Sequence, residues 1–416
     1  MKNRLLNLFL AVLMSSFIIS CSTQQKINKY NSANSYVDEY PGGFMQEQIF
    51  HKNDTISELY VRIEAMNIPS LRSKQVDVYS YLTFQYEVYT SMNKKDLVQS
   101  QVYKLSDLVP YDMIDKGGVS VNIPLKLHDD QNYIILLSVQ DQLSKKNYFK
   151  LLRINKSASG PENFKITDAD DQVLWHSWIE KNQALRIHYR YPATQEVQMS
   201  YFEPKFSPAK PPFVEDVVKN SHAFETYDIR LDKGVSQLIQ LPREGVYLLK
   251  KDSAHAQGLY RTQFYEGFPS VDNPAQKVFA LRYLNTRKEF YAMLQDDPAH
   301  TLQEFWFFDG RSEERSQKMM TTYYSRVQRA NELFTSHKEG WKTDRGMIFI
   351  VYGPPDHIYN ESDSEVWEYG EDADYNDLSF EFKIQQTNLN SQDYILIRDK
   401  DYKESWFQLV KHWRED

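Results

Sequence analysis

The sequence predicts a multi-domain chain in which two antiparallel β-sandwiches of the immunoglobulin-like type precede an α+β unit. Three observations lead to this fold class. Short runs of alternating apolar and polar residues fill residues 46–157, similar runs recur over residues 162–272, and apolar residues return at helical spacing after Pro274. Alternation with period two is typical of half-buried strands, whereas spacings of three and four residues are typical of amphipathic helices.

The first predicted sandwich spans residues 46–157. Leu59, Val61 and Ile63 alternate with larger or polar residues, and the turn signal Gly117-Gly118 precedes another alternating run. Alternating runs separated by turn residues are the pattern of an antiparallel sandwich. The segment Ser157 to Pro161 is rich in turn-forming residues, which predicts the boundary to the next unit.

The second predicted sandwich spans residues 162–272. Leu185, Ile187 and Tyr189 point to one side of a predicted strand, and Arg186 and His188 point to the other. Four prolines between residues 204 and 212 cannot donate to a sheet ladder, so this stretch is predicted to be a loop or an edge.

The third predicted unit spans residues 278–416 and mixes helices with a small sheet. Thr286 is suited to cap a helix, and the clearest helical spacing runs from Ser312 to Thr335. The run Met347 to Tyr352 is apolar on both faces, which predicts a central strand covered on both sides. A short helix is expected near residues 406–413.

The first 20 residues predict a bacterial lipoprotein signal peptide. Lys2 and Arg4 precede an apolar run from Leu5 to Ile19, which is too short and too polar for a permanent transmembrane helix. The following sequence, Ile18-Ile19-Ser20-Cys21, resembles the lipobox of bacterial lipoproteins, and this resemblance implies lipidation of Cys21. An ordinary cleaved signal or a transmembrane anchor is the alternative.

The amino-acid composition further narrows the class of protein. Cys21 is the only cysteine among 416 residues, so the mature body is expected to lack disulfides and cysteine-ligated metals. The net charge is −8 and no basic block is present, which predicts no nucleic-acid partner. The polar residues 21–45 predict a lipidated flexible tether. They lack the acidic cluster typical of surface-exported Bacteroidetes lipoproteins, which favours an outer-membrane protein that faces the periplasm over one at the cell surface.

One string in the third unit carries a family resemblance. It reads Gly340-Trp341-Lys342-Thr343-Asp344-Arg345-Gly346 and continues through the apolar run to Tyr352-Gly353-Pro354-Pro355-Asp356. This string resembles the GWxTD domain, a module of exported proteins found mainly in Bacteroidetes. The similarity covers roughly residues 280–416, and it departs from the family at Phe308-Asp309-Gly310, where a helix break of the Asp-Pro type is expected. The family implies no catalytic activity.

The residues of this motif have structural roles available to them. Gly340 is suited to end the long helix, Trp341 to cover the sheet, and Gly346 to open the central strand. Thr343 and Asp344 have short oxygen-bearing side chains that can bind the backbone N–H groups of a turn. The alternative is a binding groove lined by Trp341, Asp344, Arg345 and Asp356, and burial of Trp341 and Asp344 with satisfied partners would exclude it.

Other sites are weakly indicated. The sequence contains no nucleophile elbow, zinc-protease helix, phosphate-binding loop or dinucleotide fingerprint, so no catalytic residue and no cofactor is predicted. Asp372, Asp374 and Asn376 have the first spacings of a calcium loop. Asp377 stands where that loop needs glycine and Lys383 where it needs glutamate, which favours a solvated acidic loop instead of a metal site.

Two functions fit these features. The preferred hypothesis is a non-enzymatic scaffold or accessory subunit of an envelope assembly for secretion, outer-membrane biogenesis or uptake, with protein partners in the outer membrane or periplasm. The rival is a glycan- or peptidoglycan-binding or -processing protein, because sandwich modules and a 14% aromatic content suit sugar recognition.

Overall fold

The computed structural model describes residues 26–36, 45–64, 82–104, 107, 118–217, 221–255, 257–308, 310–370, 378–390 and 392–415. The predicted signal peptide, Cys21 and the candidate calcium ligands Asp372, Asp374 and Asn376 lie outside these residues. Within the described parts of the chain, every helix is too short or too polar to cross a membrane. The fold is rich in β-sheet, with helices concentrated toward the C-terminus.

The first unit consists of two antiparallel sheets around one core. Its strands are β1 (Met45–His51), β2 (Ile56–Glu64), β3 (Leu82–Tyr89), β4 (Leu97–Lys104), β5 (Gly118–Lys126), β6 (Gln131–Asp141) and β7 (Lys146–Lys156). One sheet has the order β1-β2-β5 and the other β4-β3-β6-β7. Alternate residues of both sheets, including Leu59, Val61 and Phe84, are fully buried in the shared core, as the period-two pattern predicts.

The second unit is one nine-stranded sheet. Its strands are β8 (Phe164–Thr167), β9 (Trp178–Ile179), β10 (Ala184–Tyr189), β11 (Gln195–Phe202), β12 (Glu225–Asp232), β13 (Val235–Ser236), β14 (Ile239–Gln240), β15 (Gly245–Lys250) and β16 (Leu259–Gln263). The sequence predicts two separate sheets for this unit. The short strand β13 pairs with both β10 and β12, and it thereby joins the strands on its two sides into one sheet.

The third unit packs helices on a four-stranded antiparallel sheet. The helices are α1 (Pro274–Ala280), α2 (Arg287–Met293), α3 (Pro298–Trp306), α4 (Glu313–Phe334), α5 (Asp344–Tyr352) and α6 (Tyr402–Glu415). The sheet contains β17 (His357–Asn360), β18 (Ser364–Tyr369), β19 (Leu378–Gln385) and β20 (Asp393–Leu396) in that order. The predicted cap is present, because Thr286 and Glu289 form a capping box at α2.

The central strand predicted for residues 347–352 is wrong, because this run is helical. It forms most of α5, and all six residues are buried. A helix enclosed on all sides is apolar around its whole circumference, so it lacks the amphipathic spacing that identifies a surface helix. Thr343 starts the helix by accepting a hydrogen bond from Gly346 N at 3.0 Å.

Residues 26–36, which we call the strap, differ from the expected flexible tether. Ile27 is buried against Tyr89 and Leu136 on the outer face of sheet β4-β3-β6-β7. At the other end of the strap, the ring of Tyr36 lies 5.5 Å from that of Phe334 in the third unit. The strap therefore fills the junction between the first and third units, and the tether prediction is wrong for these residues.

Candidate functional site

Two glycines of the motif allow a close backbone approach between α4, the motif and α5. A Cβ atom on Gly340 would lie 1.9 Å from the carbonyl oxygen of Ala330 in α4, and one on Gly346 would lie 2.0 Å from the carbonyl oxygen of Gly340. Neither distance tolerates a side chain. Gly340 begins a short 3-10 turn and is not the cap of α4, which ends at Phe334, and Gly346 lies in the first turn of α5 and opens no strand.

Trp341 is buried between helices, with 4% of its surface exposed. Its ring lies 5.6 Å from the ring of Phe279 in an edge-on arrangement. Its backbone is also satisfied, because its N–H donates to Asn331 Oδ1 at 3.1 Å and its carbonyl accepts from the Tyr283 hydroxyl at 2.7 Å. Trp341 therefore belongs to the core of the third unit and lines no groove.

Asp344 connects the motif to the last strand of the sheet. Its Oδ2 accepts from Leu396 N at 2.9 Å, and its Oδ1 lies 2.5 Å from Arg398 Nη2. Both side chains of this ion pair are at least nine-tenths buried. Thr343 binds the turn as predicted, since its hydroxyl also donates to Gly340 O at 2.7 Å. Asp344 instead binds a distant strand, and the alternative, a groove lined by Trp341 and Asp344, is not formed.

The end of α5 contains three further motif residues. Gly353 has a φ of +92°, which suits glycine, and a Cβ atom there would lie 2.7 Å from Arg326 Nη2. The Tyr352 hydroxyl lies 3.0 Å from Ser405 Oγ in α6, so it ties two helices together. Pro354 follows and is partly buried. These residues end the helix abruptly, as the sequence predicts for the end of the run.

Asp356 marks the place where the strap is attached. β17 is an edge strand, and an edge strand presents unpaired backbone groups. Asn31 of the strap fills part of this edge, because its Nδ2 donates to Asp356 O at 3.1 Å and its Oδ1 accepts from Ile358 N at 2.9 Å. Ser32 N donates to Ile358 O at 3.0 Å. The side chain of Asp356 accepts from Gly370 N at 2.7 Å.

A second junction joins the first and second units. The side chain of Arg190 is completely buried, and its Nη2 lies 2.9 Å from Asp54 Oδ1 and 3.0 Å from Asp129 Oδ2. A third junction joins the second and third units through the proline-rich loop, where Ala209 N donates to Lys342 O at 3.0 Å. Each pair of units is thus joined by specific polar contacts, which fix their relative positions more firmly than a linker would.

A cavity of about 430 Å³ lies where the strap and all three units meet. Its wall contains aromatic, acidic and basic side chains, among them Tyr36, Glu47, Arg153, Glu162, Trp178 and Arg345. Of the motif residues, Arg345 reaches this cavity. The Arg345 guanidinium carbon lies 3.6 Å from the centre of the Tyr394 ring, and its Nη1 lies 3.4 Å from Glu365 Oε1.

Two carboxyl groups of the cavity have perturbed acidity. Burial raises the pKa of Glu162 to about 7, and its Oε2 has no hydrogen-bond partner among the described residues. Burial also raises the pKa of Glu47, although Lys150 Nζ lies 2.6 Å away and opposes this shift. A carboxyl group with a pKa near neutral can either donate or accept a hydrogen bond.

The sequence analysis did not single out several residues that hold these sites together. Asn31 lies in a polar segment that is typical of a tether, and the helical or strand periodicity gives no signal for it. Arg398 lies in a turn-rich segment, and its partner Asp344 is distant in sequence. Glu162 lies in a short 3-10 turn, and its burial is not visible from its neighbours in the sequence. No group of three His, Cys, Asp or Glu side chains within the described ranges has an arrangement suited to a metal ion.

Comparisons with known proteins identify the C-terminal part of the chain. No curated protein that was compared matches this sequence. Solved structures that the comparison matches to this chain include the C-terminal domain of the AgI/II polypeptide BspA from Streptococcus agalactiae, at 6% identity and a TM-score of 0.19, over 53% of this chain and 98% of that one. Another is trypsin-activated alpha-2-macroglobulin from Escherichia coli, at 10% identity and a TM-score of 0.18. That match covers 56% of this chain and 17% of the macroglobulin chain.

The family comparison agrees with the motif. Residues 245–415 match the GWxTD domain, and the match begins at β15, inside the nine-stranded sheet of the second unit. The matched region includes the buried glycines, Trp341, the Asp344–Arg398 pair and the whole helical unit. Residues 245–415 of this chain are therefore a GWxTD domain.

Proposed function

We propose that this chain is an outer-membrane lipoprotein that faces the periplasm and acts as a non-enzymatic scaffold or accessory subunit of an envelope assembly. Secretion, outer-membrane biogenesis and nutrient uptake are the settings that fit the resemblance to exported Bacteroidetes proteins. The observation that carries the proposal is the strap. It begins five residues after the predicted lipid site Cys21 and is packed between the first unit and the GWxTD domain.

The packed strap supports a scaffold in a specific way. An anchor on a long free tether would let the body rotate and would leave its distance from the membrane variable. Here the anchored segment is part of the junction. Two arginines with buried side chains connect the second unit, because Arg190 pairs with Asp129 at 3.0 Å and Arg398 pairs with Asp216 at 3.7 Å. A body held in this way presents its surfaces to partners at a fixed height and orientation. We include in the proposal that the first unit is an immunoglobulin-like sandwich, a fold commonly used for binding other proteins.

Two experiments test this proposal. Metabolic labelling with an alkyne fatty acid should label the wild-type chain and a Ser22→Ala control, and it should not label Cys21→Ala. Cross-linking in intact cells followed by purification of the tagged chain should recover envelope proteins in reproducible proportions. A chain that is labelled normally but elutes alone from solubilised membranes would count against the subunit role while leaving the anchor intact.

The cavity favours a second candidate function, binding of a glycan or peptidoglycan fragment. Trp178 and Tyr36 are aromatic residues that line this cavity, and Glu162 and Glu47 line it with hydrogen-bonding groups. Sugars are bound through such combinations of ring stacking and polar contacts. Calorimetric titration with soluble peptidoglycan fragments should show saturable binding that Glu162→Gln weakens and the exposed control Glu196→Gln does not. Absence of binding to the wild-type chain would remove this candidate.

A further inference from the structure

The start of the strap lies at one end of the first unit. Lys26 forms an isolated β-bridge with Asn93, and Ile27 N donates to Met92 O at 3.0 Å. Both contacts are with the connection between β3 and β4. Lys26 lies five positions after Cys21, and five steps of an extended chain span at most roughly 17 Å. A lipid on Cys21 would therefore hold this end of the first unit within reach of the membrane surface.

The charge at this end differs from that of the whole chain. The chain has a net charge of −8, but Lys26, Lys29, Lys94 and Lys95 cluster around the β3–β4 connection, where they outnumber the carboxylate of Asp96. Lys94 Nζ donates to the Tyr30 hydroxyl at 2.7 Å, which links the lysine of the connection to the strap. Clustered lysines beside a lipid anchor are attracted to anionic phospholipid headgroups.

Exposed apolar side chains follow the lysines directly. Leu97 is 44% exposed and Val98 is 54% exposed, and they begin β4, the edge strand of its sheet. Leucine and valine next to lysines suit the boundary between headgroups and acyl chains, where apolar groups are partly buried and cations face phosphates. In solution, the same side chains would remain in contact with water.

We propose that this end of the first unit, formed by Lys26, Lys94, Lys95, Leu97 and Val98, rests on the anionic phospholipid surface to which Cys21 is attached. This inference rests on the proposed lipid anchor, and it adds the orientation of the body. The long axis of sheet β4-β3-β6-β7 then points away from the membrane, because β3 runs from Leu82 at the far end to Tyr89 at the membrane end.

Depth-dependent quenching tests the proposal on the full lipidated chain. Val98→Cys and Leu143→Cys variants are each labelled with an environment-sensitive dye in vesicles of phosphatidylethanolamine and phosphatidylglycerol that contain a headgroup nitroxide lipid. Leu143 is the matched control, because it is 50% exposed and follows β6 at the opposite end of the same sheet. We expect strong quenching at position 98 and little at position 143.

Two further measurements separate the possible failures. Lys94→Glu combined with Lys95→Glu should reduce quenching at position 98, since each lysine contributes about a fivefold preference for an anionic surface. Equal quenching at positions 98 and 143 in chains that carry the lipid would overturn the proposed orientation alone. A mass spectrum that shows unmodified Cys21 in the wild-type chain would overturn the anchor and this inference together. If the dye at position 98 reports an apolar environment even without vesicles, the inference would be overturned in favour of pairing between copies of the chain through β4.

Discussion

Asn31 contributes more side-chain hydrogen bonds to the docked strap than its neighbour Asn34, and this contribution can be measured. Asn31 makes three hydrogen bonds, to Asp356 O at 3.1 Å and from the N–H groups of Ile358 and Ala33 at 2.9 Å each. A hydrogen bond of this kind contributes about 1 kcal/mol net, and the site is only partly buried, so Asn31→Ala should weaken the docked strap by about 2–3 kcal/mol. The folded core of each unit should be unaffected.

Hydrogen exchange measured by mass spectrometry is the appropriate assay, because it reports local opening. In a chain that begins at residue 22, the amide of Ser32 is protected by its bond to Ile358 O. A loss of about 2–3 kcal/mol corresponds to exchange that is roughly 30- to 150-fold faster at this amide.

The neighbouring Asn34 provides the control for this experiment. Asn34 makes one bond, to Asn147 O at 3.2 Å, at an exposed position. Asn34→Ala should therefore speed exchange less than about fivefold. Equal exchange in the two variants would refute the reasoning and would mean that the Asn31 side chain contributes no more to the docked strap than the Asn34 side chain.

Three further changes address the motif and the cavity. Asp344→Ala leaves Arg398 buried without its closest partner, so urea unfolding should show a loss of about 3 kcal/mol. Gly346→Ala places a Cβ atom 2.0 Å from a backbone oxygen. The free energy of unfolding should therefore fall by about 3 kcal/mol, which a lower midpoint of thermal unfolding would report. Burial raises the pKa of Glu162 from 4.5 to about 7, so between these pH values the folded chain keeps a proton that the unfolded chain releases. The free energy of unfolding should therefore fall as the pH rises from 4.5 to about 7. Glu162→Gln should remove this fall in urea titrations. An unchanged pH dependence would contradict the last prediction. The matched controls at exposed positions are Asp363→Ala and Glu196→Gln. Gly267→Ala places a Cβ atom in open space at a φ of +88°, so it measures the cost of backbone strain without a clash.

Local patterns in the sequence predicted elements that local physics determines. Strands of the first unit alternate because one face is buried, and the long helix predicted over residues 312–335 is observed over Glu313–Phe334. The strand prediction for residues 347–352 was wrong for a physical reason. A short run that is apolar in every direction fits a doubly covered strand and a fully enclosed helix equally well. Thr343 followed by Asp344 was the available signal for a helix start, since both favour the first turn.

The sites could not be predicted in the same way, because their contacts join distant parts of the chain. Asn31 and Ile358 are separated by 327 positions, and Asp344 and Arg398 by 54. Nothing in the local composition pairs them. The polar residues of the strap are equally suited to water and to the open edge of β17. Only the position of that edge decides between a free tether and a packed strap.

The geometry of the motif also determines which experiments can inform on function. Close backbone packing requires glycine at positions 340 and 346, and Trp341 and Asp344 form their contacts within the domain. Substitutions at these positions change the stability of the GWxTD domain, so a loss of activity in such variants would not identify a binding surface. Residues that remain available to partners lie outside the buried part of the motif, on the cavity wall and on the lysine-rich end of the first unit. Variants at the exposed lysines of that end leave the core intact, and a change in membrane contact can then be attributed to the surface itself.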